Sequence, residues 1–203
     1  MSIRRALTAG AALLAAAVLS TTPAHATGLT YPVSGGGSSL PGTAPFAASS
    51  TSPLTLGPIS CSSAAVPTSP TSSITTGPSV VDVVTVNKLS PLSCAFAGGI
   101  TLTSSGSWRM HGTSAATSAN NDVIAVHLHD VAISATNAIC RFNATGQVNG
   151  TFNEATQTLT INEPASSGNL KASNVAGCLG MITSGAGLAM NVSLVTPSSL
   201  YLG

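Results

Sequence analysis

The sequence predicts an all-β protein, an antiparallel β-sandwich or Greek-key barrel held by two disulfides, and three observations carry that reading. Apolar and polar side chains alternate over much of the chain. Gly, Ser, Thr and Asn stand where Glu, Lys and Gln would line exposed helices, and only 5% of residues are charged, against about 25% in ordinary soluble domains. Gly and short polar side chains disfavour helix interiors, because they lose more entropy there or compete for backbone hydrogen bonds. Finally, four cysteines follow what reads as an export signal.

That signal occupies residues 1–26. Arg4-Arg5 supplies a basic start, Ala6 to Leu19 an unbroken small and apolar run, and Ala24-His25-Ala26 a small-residue cleavage site. This is the plan of a Sec signal peptide cut after Ala26. The apolar run is shorter than the roughly 20 residues that cross a bilayer, and the surroundings of Arg4-Arg5 fit a twin-arginine signal poorly. The expected destination is extracellular space or the cell envelope. Removing 26 of 203 residues leaves 177, one domain in size, with no transmembrane segment expected.

Beyond residue 26 the cations are Lys88, Arg109, Arg141 and Lys171, and the anions are Asp82, Asp122, Asp130, Glu154 and Glu163. Four scattered cations against five anions cannot neutralise a row of phosphates, so nucleic acid is excluded as a partner. A patch for anionic lipid is excluded for the same reason.

An even number of cysteines in an exported chain predicts disulfides, since that compartment is oxidising. Cys61, Cys94, Cys140 and Cys178 allow three pairings. The sequential one, Cys61–Cys94 and Cys140–Cys178, is preferred because each bridge would close a local meander. No Cys-x-x-Cys occurs, so neither a zinc ribbon nor a thioredoxin-type site is supported.

The elements follow in order. Residues 27–53 are rich in Gly, Ser, Thr and Pro and predict a flexible leader, with an early edge strand near Pro45-Phe46-Ala47. Residues 54–203 are the predicted domain, opening on Leu54-Thr-Leu-Gly-Pro-Ile-Ser-Cys61. Pro67, Pro70 and Pro78 mark a long loop or bulged edge. Val80 to Val86 is β-branched almost throughout and predicts a strand. Ile100, Leu102, Gly106, Trp108 and Met110 share one parity, and Ile124, Val126 and Leu128 continue the pattern. Over 142–152, Phe142, Ala144, Gly146, Val148, Gly150 and Phe152 fall on one face; at 100° per residue a helix would scatter them. Asn153-Glu154-Ala155-Thr156 predicts a hairpin turn into Thr158–Asn162. Leu188, Met190, Val192 and Leu194 form the last alternating run, giving about eight strands at hairpin spacing, with one helical turn near Asn174–Ile182.

Candidate chemistry is sparse. His127-Leu128-His129 places two imidazoles on one strand face, where both reach a single Zn²⁺ or Cu²⁺ ion. Asp130 would then point the other way, leaving His111 or Asp122 to supply a third ligand. Exposed strand histidines account for the pair equally well, so no metal site is assigned, and no cofactor is expected. A Ser–His–Asp set needs a base oriented by an acid beside a nucleophile, and no Gly-x-Ser-x-Gly elbow occurs. Glu154 and Glu163 flank a hairpin as a glycosidase pair would, but solvated hairpin charges are the simpler expectation. No catalytic residue is assigned.

Leu54-Thr-Leu-Gly-Pro-Ile-Ser-Cys61, Cys94 ahead of a strand, Trp108, Gly150-Thr-Phe-Asn and Gly177-Cys-Leu-Gly180 together resemble a group of small secreted actinobacterial β-rich proteins of unassigned function, loosely alkane-oxidation-activator-like. The resemblance spans about residues 46–203 and implies no active site. Three functions are weighed. The first is a non-catalytic secreted or envelope protein acting through its surface, with a cell-envelope or extracellular partner. The second is a module holding an apolar or saccharide ligand between sheets, in room left by Ala144, Gly146 and Gly150. The third is a secreted hydrolase. A filled core favours the first over the second.

Overall fold

The computed structural model describes residues 28–35, 41–62, 72–87, 91–196 and 199–203. The segment expected to be an export signal, Pro67 and Pro70 of the expected long loop, and Lys88 lie outside them. Among the described residues sixteen strands make one all-β assembly. First come β1 (Tyr31–Gly35), β2 (Gly42–Pro45), β3 (Ser49–Ser50), β4 (Leu54–Leu56) and β5 (Ile59–Cys61). Next are β6 (Ser73–Val80), β7 (Val84–Val86), β8 (Leu92–Ala95), β9 (Ile100–Ser104) and β10 (Trp108–Gly112). The long β11 (Val123–Thr136) and β12 (Cys140–Asn153) form the central hairpin. The last are β13 (Thr158–Glu163), β14 (Leu170–Gly177), β15 (Met190–Val195) and β16 (Leu200–Leu202). Single 3₁₀ turns occur at Ala165–Ser167 and Cys178–Gly180.

β11 and β12 pair from Val123 opposite Asn153 to Thr136 opposite Arg141, and each exposes a second edge that two strands share. Along β11, β10 takes the first half and β9 the second. Along β12, β14 and β13 divide the edge in the same way. From β12 the antiparallel pairings run through β13, β15, β4, β5, β8 and β9 back to β11, a closed circuit. From β10 a second arm continues through β7, β6 and β1 to β16. Side chains of the β12–β13 turn then hold β16. Leu202 N–H donates to Glu154 Oε1 at 2.6 Å, and Leu200 N–H to Gln157 Oε1 at 2.7 Å.

The alternation read from the sequence sets the inner faces. Phe142, Ala144, Val148 and Phe152 are buried on β12, as are Leu159 and Ile161 on β13. On β11 it changes phase. Ile124, Val126 and Leu128 are buried, then Val131, Ile133 and Ala135. A bulge between Leu128 and Val131 makes the change, with Asp130 in the left-handed region at φ 59°. Such a backbone costs about 1–2 kcal/mol. Burying Val131 and Ile133 contributes about 1.5–3 kcal/mol each, so the bulge is retained.

Both predicted disulfides are present, Cys61–Cys94 and Cys140–Cys178. Their setting differs from local meanders. Cys61 and Cys94 are directly opposed on β5 and β8, while β6 and β7, which lie between them in sequence, cross to the second arm. Cys140–Cys178 ties the start of β12 to the turn that ends β14.

Three further expectations are corrected. Residues 27–53 are not merely a leader within the described part: Tyr31, Val33, Ala44 and Phe46 are buried, and β1, β2 and β3 pair with β6, β15 and β16. Two or four alternations among small polar residues had too little contrast to register. The Val80–Val86 strand is broken at residues 81–83, which puts Asp82 in a bend between β6 and β7. The helical turn placed at Asn174–Ile182 shrinks to Cys178–Gly180, because β14 runs to Gly177.

No helix among the described residues is long and apolar enough to cross a membrane.

Candidate functional site

The outward face of the β10–β11 pair gathers the titratable chemistry. Trp108 and Met110 turn into the core, so Arg109 and His111 leave β10 on the opposite face. Across the ladder Arg109 stands opposite His129, and His111 opposite His127. All three histidines beyond residue 26 therefore converge. The His111 ring lies 4.9 Å from that of His129 and 5.6 Å from that of His127.

The bend between β6 and β7 lowers Asp82 onto this face. Its Oδ1 lies 3.1 Å from His129 Nε2 and 3.9 Å from His111 Nδ1. The β11 bulge turns Asp130 the same way, so its Oδ2 is 3.1 Å from His129 Nδ1. Arg109 donates to both carboxylates, at 2.8 Å to Asp130 and 3.4 Å to Asp82. These ion pairs are a third to a half exposed, a setting in which such pairs contribute at most about 1 kcal/mol.

His111 is different. It is 7% exposed, and glycine at position 28 lets the chain lie against its ring, since a Cβ there would be 2.8 Å from His111 Cγ. Its Nε2 and His127 Nδ1 are buried without a hydrogen-bond partner, a state that costs about 1–3 kcal/mol per group.

Burial is the main cause that lowers the proton affinity of His111, helped by His129 and His127 and opposed by Asp82. His127 is lowered first by burial, then by His129, with Glu163 acting against it. Groups protonated more readily in the unfolded chain make stability rise with pH. For these two rings that stability is full above the ordinary imidazole value of 6.5 and is lost as pH falls below it. The thermal midpoint should therefore drop between pH 7.5 and 5.5. Replacing His111 and His127 by Gln should flatten that drop; an unchanged slope would show that other groups set it.

The patch opens onto a cleft of about 620 Å³, lined by His129, Asp130, Thr145, Gln147, Asn169 and Lys171 among others. One of these residues, Asn169, is held from behind by Glu163, which is fully buried. Oε2 accepts from Asn149 N–H at 2.7 Å, while Oε1 accepts from the Ser167 hydroxyl and from Asn169 Nδ2. Glu154 is 2% exposed and accepts from Asp122 N–H and Leu202 N–H. Neither is a solvated hairpin charge, and both serve as internal acceptors for backbone groups.

Of the sequence candidates, His127 and His129 do share one face. The donor atoms that come within 4.8 Å of one another, however, belong to Asp82, His111 and His129. Asp122 lies elsewhere, bonded to Thr117. Asp130 does not point away, because the bulge adds a residue at that step. Asp82 was missed inside a β-branched run; its charge amid four valines was the available signal for a break. Both nitrogens of His129 face carboxylates, so neither is placed to take a proton from a serine hydroxyl.

No protein-family model, no curated protein and no solved structure matches this chain.

Proposed function

We propose that this is an exported, non-catalytic protein of the extracellular space or cell envelope, acting through its outer surface. One observation carries the reading: the interior is filled, and the roomy concavities lie outside. An apolar void in the core, bounded by Leu54, Trp108, Leu128, Ile161 and Met190 among others, is about 30 Å³, room for about one water molecule. At the two glycines considered as part of a ligand chamber, backbone fills the space. A Cβ on Gly150 would be 2.4 Å from the Thr160 carbonyl oxygen, and one on Gly146 2.0 Å from that of Asn169. Two disulfides fit an oxidising compartment. The outer cleft beside the histidine patch offers hydroxyl, amide and carboxylate groups to a partner.

Culture fractionation with N-terminal sequencing tests the reading. The protein should be recovered from medium or envelope beginning at Thr27, and should sediment with isolated envelope in competition with excess unlabelled protein. Recovery from the cytoplasm with residues 1–26 attached would overturn it. So would turnover of an ester, peptide or glycoside that is lost on His129→Ala.

A further inference from the structure

An ion-pair network explains most of the patch on the β10–β11 face, but not His111. Arg109, Asp130, Asp82 and His129 all have partners at 2.8–3.4 Å. His111 Nδ1 stops 3.9 Å from Asp82 Oδ1, beyond hydrogen-bond range, and its other nitrogen is buried with no partner. The chain thus holds a buried imidazole against a carboxylate and a second imidazole without bonding it to either.

We propose that Asp82, His111 and His129 form a binding site for one Zn²⁺-class divalent transition-metal ion, coordinated through Asp82 Oδ1 and one ring nitrogen of each histidine. Bonds of about 2.0–2.2 Å arranged tetrahedrally set ligand atoms roughly 3.4 Å apart. The distances from Asp82 Oδ1 to the two rings, 3.1 and 3.9 Å, bracket that spacing, and the full set lies within 4.8 Å. Two imidazoles with one carboxylate select zinc and copper over calcium and magnesium, which take oxygen alone.

The surroundings of His129 and Asp82 match what a ligand set requires. A metal-bound histidine ordinarily donates its other N–H to a carboxylate that fixes ring and tautomer. Asp130 faces His129 Nδ1 at 3.1 Å, which leaves Nε2 for the ion. Arg109 holds both Asp82 and Asp130. Burial biases His111 toward the neutral form that can coordinate. Two ligands stand on paired strands, and the third sits in a bend whose following residue is tied to the sheet by Val83 N–H donating to the Met110 carbonyl at 2.8 Å. Three protein ligands leave a coordination position for water, and His129 and Asp130 border the external cleft. His127 is outside the set.

The test is calorimetric titration of the protein, disulfides formed and metal stripped with EDTA, using Zn²⁺ and then Mg²⁺. One Zn²⁺ per chain should bind, and Mg²⁺ should give no saturable heat. Asp82→Asn and His129→Ala should each weaken Zn²⁺ at least 100-fold, and Asp130→Asn by about 10–100-fold. His127→Ala should stay within threefold of the parent. Asp82 and His129 are partly exposed, so the test survives if His111→Ala fails to fold; metal-free thermal midpoints check each variant. Absence of saturable Zn²⁺ binding up to millimolar concentration would overturn the site. So would a stoichiometry above one, a loss with His127→Ala equal to that with His129→Ala, or parental affinity in Asp82→Asn.

Discussion

Replacing Cys140 and Cys178 together by alanine should lower the unfolding free energy by about 4 kcal/mol, from the entropy of a loop of sequence separation 38. For a domain of this size that corresponds to a fall of about 8–16 °C in thermal midpoint. Losing Cys61–Cys94, with separation 33, should cost nearly as much globally. The two differ in where the structure loosens. Cys140 and Cys178 close the end of the β12–β14 ladder, whose other end carries Thr145, Gly146 and Lys171 along the outer cleft. Hydrogen exchange should therefore quicken along β14 only in the first variant. Equal protection of β14 in both would contradict this division of labour.

Glu163→Ala should be comparably severe, at about 3–5 kcal/mol, because it strands the Asn149 N–H in the interior and deprives Ser167 and Asn169 of their acceptor. Glutamine keeps the volume but presents an NH₂ toward groups that are themselves donors, so Glu163→Gln should recover less than half of the loss. Urea unfolding of the two variants measures this. Full recovery by glutamine would show that the carboxylate serves only as a spacer. Glu163 also opposes the burial effect on His127, so Glu163→Ala should make that ring still harder to protonate, which NMR titration reads directly.

What could be read from the sequence tracks how long each pattern runs. Phe142 to Phe152 and Leu188 to Val192 carry enough alternations to fix which side faces inward, and their large apolar side chains do face that way, although Gly146 is exposed along the outer cleft. β3 and β4 have two and three residues, too few to show a period, so about eight expected strands became sixteen. The cysteine pairing came out as expected but not for the expected reason, since the bridged strands are neighbours by long-range pairing and not within local meanders. The site was half legible. Alternation around Trp108 and Met110 already puts Arg109 and His111 on one face, and the His127–His129 spacing puts two rings together. That these faces coincide depends on which strands pair, and Asp82 and Asp130 arrive through a bend and a bulge. Periodicity is blind to both. Buried Glu154 and Glu163 were misjudged because charge at a hairpin ordinarily means water, whereas here orphaned amide groups of β12 and β16 needed acceptors.

The extra residue in β11 acts as a phase shifter. Upstream of it even-numbered positions face inward, and downstream of it odd-numbered ones do. Substitutions at Arg109, His127 or Asp130 can alter the chemistry of the outer face while leaving the wall beneath intact. A one-residue deletion between Leu128 and Val131 would instead remove the bulge and place those two side chains in simple alternation, so the wall would survive while the step that turns Asp130 toward His129 would be lost. The spare residue thus serves the outer face and not the wall: it is what brings a carboxylate beside the His129 ring.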